Sequence, residues 1–302
     1  MRFLSHIIGI ALLAGFASQA AAQSLPVDGA GGGSPKPTEI TADKSLEWYQ
    51  DQHLYVARDN AKAVRGDLTV EADTLTAHER EKPPAAPGAA PQPQPQATQT
   101  PGDIGGGDID KMTADGNVRI TTSRAHVYGD HAVYDTDKHV AFVTGDHLKY
   151  ETDKETVTAK DSLEYWEDRK LAVARGHAVA IRGDRHVEGD VLLAQFRDEP
   201  NGQSQLHTMT AEGHVTVITK SDVSRGDKAV YDVSRNIAIL TGNVRITRAD
   251  GTELAGDVGE VDFATNQSRL MNEGSGRVRA LLTPKSTTKA GTTPGATKTA
   301  SP

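Results

Sequence analysis

The sequence predicts an all-β fold built from repeated strand units of about thirty residues. The first observation is an internal duplication: Met112–Gly145 matches Met209–Gly242, 97 residues later, with 15 of 34 positions identical. A second pair, Ile40–Asp67 and Val157–Asp184, matches at an offset of 117 with 15 of 28 positions identical. The chain is therefore two copies of one long unit, and the first copy has the longer internal connector.

The second observation is strand-like alternation, and the third is regular turn chemistry. Asn117–Thr121 and Asn243–Thr247 alternate apolar and polar residues with period two. Asp115-Gly116 and Asp250-Gly251 are typical of turns between such segments. Apolar residues at helical spacing do not extend over a comparable length. Short strands with turns throughout predict an all-β sandwich, barrel or jelly roll.

A finer repeat places Asp, Ala or Leu, Tyr and a later Gly at fixed spacing. The three best copies are Asp130/Ala132/Tyr134/Gly145, Asp161/Leu163/Tyr165/Gly176 and Asp227/Ala229/Tyr231/Gly242. The aspartates recur once per unit, with further copies at Asp190 and Asp257, and we expect them to form turns or caps rather than bind calcium. Three Arg-Gly-Asp triplets begin at Arg65, Arg182 and Arg225, and we expect equivalent turns there rather than an adhesion motif.

The recurring aromatic residues allow two interpretations. Tyr134, Tyr165, Tyr231 and Trp48 share one position of the unit. They either pack in the core or form a row of large side chains along a groove. Periodicity alone leaves both readings open.

Signatures of catalysis and metal binding are missing from the sequence. There is no cysteine, and the eleven histidines lack the spacing of metal ligands. A Gly-x-Ser-x-Gly elbow and a phosphate-binding glycine loop are also absent. We therefore predict a protein that is not an enzyme and needs no cofactor or metal. The net charge of −8 argues against nucleic acid as a partner.

The ends and the first connector differ in composition from the repeats. Residues 1–22 resemble a secretory signal peptide, because Arg2 precedes an apolar run that ends in Ala20-Ala21-Ala22, and cleavage would leave Gln23 first. The remaining domain predictions are a flexible leader at 23–37, the β domain at 38–283 with a Pro/Gln-rich insertion at 81–107, and a disordered tail at 284–302.

Several of these motifs carry a family likeness. The segments Ala-Asp-Gly-Asn-Val-Arg-Ile, Gly-Asp-His-Ala-Val-Tyr-Asp and Val-Thr-Gly-Asp, and their copies in the second half, resemble the LptA/OstA-like family of periplasmic lipopolysaccharide-transport proteins. The resemblance implies an open antiparallel β-jellyroll whose apolar interior holds the acyl chains of lipid A in the periplasm. It also implies head-to-tail oligomers that bridge an LptC-like inner-membrane subunit and an LptD-like outer-membrane subunit for outer-membrane assembly.

Within this interpretation the apolar residues of the regular strands are the candidate lipid contacts. They are Val118, Ile120, Tyr134, Leu148, Val215, Val217, Tyr231, Val244 and Ile246. The polar neighbours Arg119 and Arg245 would then face outward. The alternatives are an LptC-like membrane-anchored subunit of the same pathway, a structural or adhesive β-repeat protein, and an exported hydrolase on a β scaffold.

Overall fold

A computed structural model describes five segments of the chain, residues 38–80, 109–199, 204–265, 267–273 and 276–281. The predicted signal peptide at 1–22, the leader at 23–37, the insertion at 81–107 and the tail at 284–302 lie outside the described residues. Strands β4 and β5, which flank the insertion, are paired with each other as far as Glu79 and Ile109.

The described residues form eighteen β-strands and one short 3₁₀ turn at Gln50–Gln52. The strands are β1 (Glu39–Thr41), β2 (Ser45–Tyr49), β3 (Leu54–Arg65), β4 (Leu68–Glu79), β5 (Ile109–Thr121), β6 (Ala125–Asp135), β7 (Val140–Thr144), β8 (Leu148–Thr152), β9 (Thr156–Ala159), β10 (Ser162–Trp166), β11 (Leu171–Arg182), β12 (Arg185–Asp198), β13 (Ser204–Ile218), β14 (Asp222–Asp232), β15 (Ile237–Arg248), β16 (Glu253–Asp262), β17 (Gln267–Met271) and β18 (Arg279–Leu281). The all-β prediction is confirmed.

All of the strand pairings are antiparallel, and they largely follow the order of the chain. Each long strand pairs with the next long strand, and at four places two short strands together occupy the position of one long strand. Strands β1 and β2 share one side of β3, and β17 and β18 share one side of β16. In the middle, β7 and β8 together pair with β10 and β9. The ladder is thus an open antiparallel jellyroll, as the sequence predicted.

A line of β-bulges divides every long strand into two parts. The bulges shift the pairing register at corresponding places, for example between Asp115 and Val118 on β5. We name the two resulting layers half-sheet A, which contains β2, β7, β10 and β17, and half-sheet B, which contains β1, β8, β9 and β18. Bulges bend and twist the strands. Buried side chains of both half-sheets belong to one contiguous apolar cluster.

Five of the corners combine an aspartate from one segment with a glycine from a neighbouring one. At the β4–β5 corner, Gly116 and Asn117 have φ of 78° and 50°, and a Cβ on Gly116 would lie 2.1 Å from Asp73 Oδ2. The Asn117 side chain donates to the same carboxylate at 3.0 Å. The same contact recurs in the pairs Asp130/Gly145, Asp161/Gly176, Asp190/Gly213 and Asp227/Gly242. The aspartates therefore sit at the corners of the sheet and not in its hairpin turns.

The corners also decide which residues face inward. On β4 the buried positions are Leu68 and Ala72 before the corner but Leu75 after it, so the inward parity reverses at Asp73. On β5, Ala114 and Val118 share one parity because two residues form the bulge. Where the corner is a single aspartate, the alternation of inward and outward side chains reverses along the strand. Where the corner is a Gly-Asn or Gly-His pair, the alternation continues unchanged.

The Arg-Gly-Asp triplets are not all equivalent. Gly66 and Gly183 occupy hairpin turns with φ of 64° and 59°, as predicted for the triplets that begin at Arg65 and Arg182. The triplet that begins at Arg225 instead lies inside β14 at the corner. The sequence expectation was wrong there, because an identical tripeptide serves a bulge where the strand continues.

Candidate functional site

Cross-strand register gathers the inward side chains of half-sheet A into two rows. The outer row, which is farther from the corners, contains aromatic and Met residues interspersed with Ala: Trp48, Tyr55, Ala77, Met112, Tyr134, Ala141, Tyr165, Ala172, Ala194, Met209, Tyr231 and Ala238. The inner row runs Leu46, Ala57, Leu75, Ala114, Ala132, Val143, Leu163, Ala174, Leu192, Ala211, Ala229 and Leu240. Residues opposite each other on one face interact directly. The aromatic repeat therefore forms a single row along the molecule.

Half-sheet B supplies the opposing apolar wall. Its register row is Ile40, Ala63, Val70, Ile120, Val127, Tyr150, Val157, Ala180, Val187 and Val217, followed by Ser224, Ile246 and Leu254. Polar groups are scarce in all three rows. The interior of the jellyroll is consequently apolar along both of its walls.

Two cavities lie between these walls. The larger, about 270 Å³, is bounded by strands β1 to β7 and includes Ile40, Leu75 and Ile120. The smaller, about 70 Å³, is bounded by strands β12 to β15 together with Phe263. Residues of β8 to β11 line neither cavity. Both cavities have the dominantly apolar lining that suits hydrocarbon chains.

The predicted lipid contacts all face the interior, but they divide into two groups. Ile120 and Tyr134 line the larger cavity, and Val217 and Tyr231 line the smaller one. Four others are packed at the corners with almost no exposed surface, and Ile246 is half-buried in the row of half-sheet B. The four packed residues are Val118, Leu148, Val215 and Val244.

The polar neighbours of the predicted contacts lie on the opposite face of their strands. Arg119 and Arg245, the polar neighbours of these positions, are both exposed. The sequence missed several cavity residues, among them Leu75 and Met112. Only the cross-strand register identifies them. Met112 lies directly opposite Tyr134, and Leu75 lies opposite Ala114, which is itself opposite Ala132.

The aromatic row has different environments along its length. Tyr134 and Tyr231 are buried, whereas Trp48, at the β2 edge, is 52% exposed and stacks on Tyr55 with ring centroids 5.7 Å apart. Tyr165 is half-buried against a small cluster that contains Phe196. Both interpretations of the row therefore hold locally, because the same residues pack in the core and bound the cavities.

Charged side chains stand at the mouths of the two cavities. Arg65 on half-sheet B lines the larger cavity opposite Tyr134, whose hydroxyl donates to Glu167 at 3.1 Å. Burial, followed by the Glu167 carboxylate, raises the pKa of Tyr134 well above its usual range, and Arg65 acts in the opposite direction. The phenol is therefore neutral at any physiological pH and serves as a hydrogen-bond donor.

The smaller cavity has a related mouth. The Arg185 guanidinium lies 5.7 Å from the Phe263 ring centroid, and Phe263 meets Tyr231 edge to face at 5.8 Å. Burial raises the pKa of Tyr231, and Arg185 and Arg182 oppose this rise. Arginine and tyrosine from opposite half-sheets thus face each other at both mouths.

Three of the histidines, His131, His139 and His214, lie beside carboxylates. His131 Nδ1 lies 2.5 Å from Asp115, and His214 Nδ1 lies 2.8 Å from Asp190. Within the described segments, no three His, Cys, Asp or Glu side chains come together in a way that could hold a metal ion.

A membrane-spanning helix is not found in the part of the chain that the structure describes, where no helix has the necessary length and apolar character.

The fold and site define the protein as a duplicated, open antiparallel jellyroll with an apolar interior. The chain belongs to the family described as LptA/(LptD N-terminal domain) LPS transport protein, because the family profile matches residues 39–165 and again residues 156–267. The likeness inferred from the sequence motifs is thereby confirmed. The two matches overlap within β9 and β10, so each half of the duplication corresponds to one family unit.

One solved structure that the chain matches over part of its length is the crystal structure of LptH, the LptA homologous periplasmic component of the conserved lipopolysaccharide transport device from Pseudomonas aeruginosa. It is 20% identical, the match covers 43% of this chain and 95% of LptH, and the TM-score is 0.37. None of the curated proteins compared with the chain matches it.

Proposed function

We propose that this chain binds lipopolysaccharide in the periplasm and shields the acyl chains of lipid A during transport to the outer membrane. The observation that carries the proposal is the pair of apolar walls enclosing cavities in a protein of a lipopolysaccharide-transport family. The predicted signal peptide supports an exported, periplasmic location.

The energetics favour a carrier without a dedicated catalytic residue. Burial contributes about 0.8 kcal/mol per methylene, so ten buried methylenes of an acyl chain would gain roughly 8 kcal/mol before ordering is subtracted. This gain is distributed over the rows of Val, Ile, Leu and Ala that form the walls. Binding and release then require no bond to be made or broken, and the role we propose is that of a carrier and not an enzyme.

The shape of the ladder supports a bridging role. Strands β2 and β17 are thirteen pairing steps apart, which corresponds to roughly 62 Å at about 4.8 Å per step. Among the described residues, β2 pairs only with β3 and β17 only with β16, so the ladder has an edge at each end. Edges of this kind pair with other chains. We propose head-to-tail contacts between copies, and end contacts with LptC-like and LptD-like subunits.

Photo-crosslinking to lipopolysaccharide tests the proposal. A photoreactive residue at Ile120 or Tyr134, which line the larger cavity, should label lipid strongly. The same residue at Val217 should label lipid from the smaller cavity. Arg119, exposed on the opposite face of β5 beside Ile120, is the matched control, and Arg245, exposed on β15, is a second control.

Two results would refute the carrier function. Equal labelling from the cavity and control positions would mean that lipid does not enter the interior. Absence of lipopolysaccharide from protein purified out of the periplasm, together with no binding in solution, would remove the function itself. Mass spectrometry of copurified lipid provides the second measurement.

A further inference from the structure

The two cavities lie in different parts of the sheet, and residues of β8 to β11 line neither of them. A septum of tightly packed residues separates the two cavities, formed by Leu148, Tyr150, Val157, Leu163, Ala178 and Ala180. All six are buried within the single apolar cluster. From β7, the last strand on the larger cavity, to β12, the first strand on the smaller one, there are three pairing steps, or roughly 14 Å.

The septum coincides with the junction of the duplication. The two family matches meet at residues 156–165, which form most of β9 and β10. Each family unit therefore contains one cavity, and the buried residues between the cavities lie where the units join. Such packing resists opening, because separating the walls would expose apolar surface and create voids.

Each cavity has an arginine at its mouth beside a hairpin turn, but the two arginines occupy different positions of the repeat. Arg65 ends β3 beside one hairpin turn, and Arg182 occupies the equivalent site 117 residues later at the end of β11. Arg185 on β12 lies opposite Arg182 in the strand register across that second turn, and Arg185 lines the smaller cavity. The first hairpin has Leu68 at the position of Arg185.

The arginine at each mouth suits the head of an anionic amphiphile, although Glu47 also lines the larger cavity. Guanidinium groups bind phosphate through two parallel N–H donors. The Tyr134 and Tyr231 hydroxyls on the opposite wall already donate to Glu167 and Asn236, so the arginines are the phosphate donors that we consider. The tyrosine side chains also form part of the apolar lining, so a phosphate at the rim would have its hydrocarbon directed inward.

We propose that the chain contains two separate lipid stations, one per family unit, each taking acyl chains in its cavity and a phosphate on its arginine. Arg65 serves the first station and Arg185 the second. The two hairpins are six pairing steps apart, roughly 29 Å. Each station therefore takes its own lipid molecule. This proposal rests on the proposed function, since it concerns the same interior.

The test uses the full chain with two probes of equal chain length, dodecyl phosphate and uncharged dodecyl maltoside. Native mass spectrometry should show two dodecyl phosphate molecules per chain at saturation. Isothermal titration should show that R65Q and R185Q each weaken one of the two sites on the order of tenfold, the effect of losing a charged hydrogen-bond partner. Dodecyl maltoside binding should change little in either variant.

R245Q is the matched control, because Arg245 carries the same charge on the exposed face of β15. One bound phosphate amphiphile per chain, or equal effects of R185Q and R245Q, would overturn the two-station proposal while lipopolysaccharide binding persists. If neither probe nor lipopolysaccharide binds the wild-type chain, the proposed function fails as well. Circular dichroism of each variant establishes that a weakened site is not an unfolded protein.

Discussion

Replacing Gly116 with alanine tests the idea that the aspartate–glycine corners hold the two half-sheets in their bend. Gly116 has φ of 78°, where an alanine side chain is strained by about 1–2 kcal/mol. The new Cβ would also lie 2.1 Å from Asp73 Oδ2, so the carboxylate must move. That movement breaks its hydrogen bonds with Asn117, a further loss of about 1 kcal/mol. The expected destabilisation is about 2–3 kcal/mol.

Gly183 provides the matched control. Its φ of 59° is similar, but a Cβ there would meet nothing within 4 Å. Gly183→Ala should therefore lower stability by the backbone strain alone, about 1–2 kcal/mol. Urea denaturation followed by circular dichroism measures both variants, and a shift in midpoint without a change in slope indicates a change in stability.

A double-mutant cycle isolates the corner contact. Asp73→Ala removes the carboxylate that the new methyl group would strike, so it should be much less harmful in the Gly116→Ala background than in the wild type. We expect a coupling of about 1 kcal/mol. The reasoning is refuted if Gly116→Ala is no worse than Gly183→Ala, or if the two changes at the corner are additive.

Deleting residues 83–101 should leave the free energy of unfolding within about 0.6 kcal/mol of the wild type, because closure entropy changes slowly with loop length; a loss of several kcal/mol in urea denaturation would show that this segment packs on the sheet. The Glu47 carboxyl should titrate by NMR near pH 2, because hydrogen bonds from Tyr49 and then other neighbours lower its pKa to about 2. The stability linked to Glu47 is therefore present at pH values above the unfolded-state pKa of roughly 4.3 and is lost as the pH falls towards 2. Tyr49→Phe should raise the pKa of Glu47, and an unshifted titration of Glu47 in the wild type would contradict its hydrogen bond with Tyr49. Leu46→Lys at the exposed β2 edge should weaken concentration-dependent association measured by light scattering, whereas Ile181→Lys, on an exposed apolar side chain of an interior strand, should not; equal effects would argue against edge pairing.

The sequence by itself determined the strands, the duplication and the inward direction of the regular segments. Alternation along Asn117–Thr121 correctly placed Val118 and Ile120 inside and Arg119 outside. The repeats identified equivalent positions such as Tyr134 and Tyr231, because units that pack in the same way conserve the same side chains between copies. Such information is local or periodic, and it can be read from one strand at a time.

The tertiary structure alone decided how those strands combine. The Asp73 carboxylate packs over Gly116 on the neighbouring strand, 43 residues away, so no local pattern marks the pair as a corner. The apolar segment 140–143 had no readable parity, and register placed Ala141 and Val143 inward. Division of the interior into two cavities likewise depends on packing across half-sheets. Cross-strand register and close packing join residues distant in sequence, and this is why the alternating pattern predicted an apolar interior but not its septum.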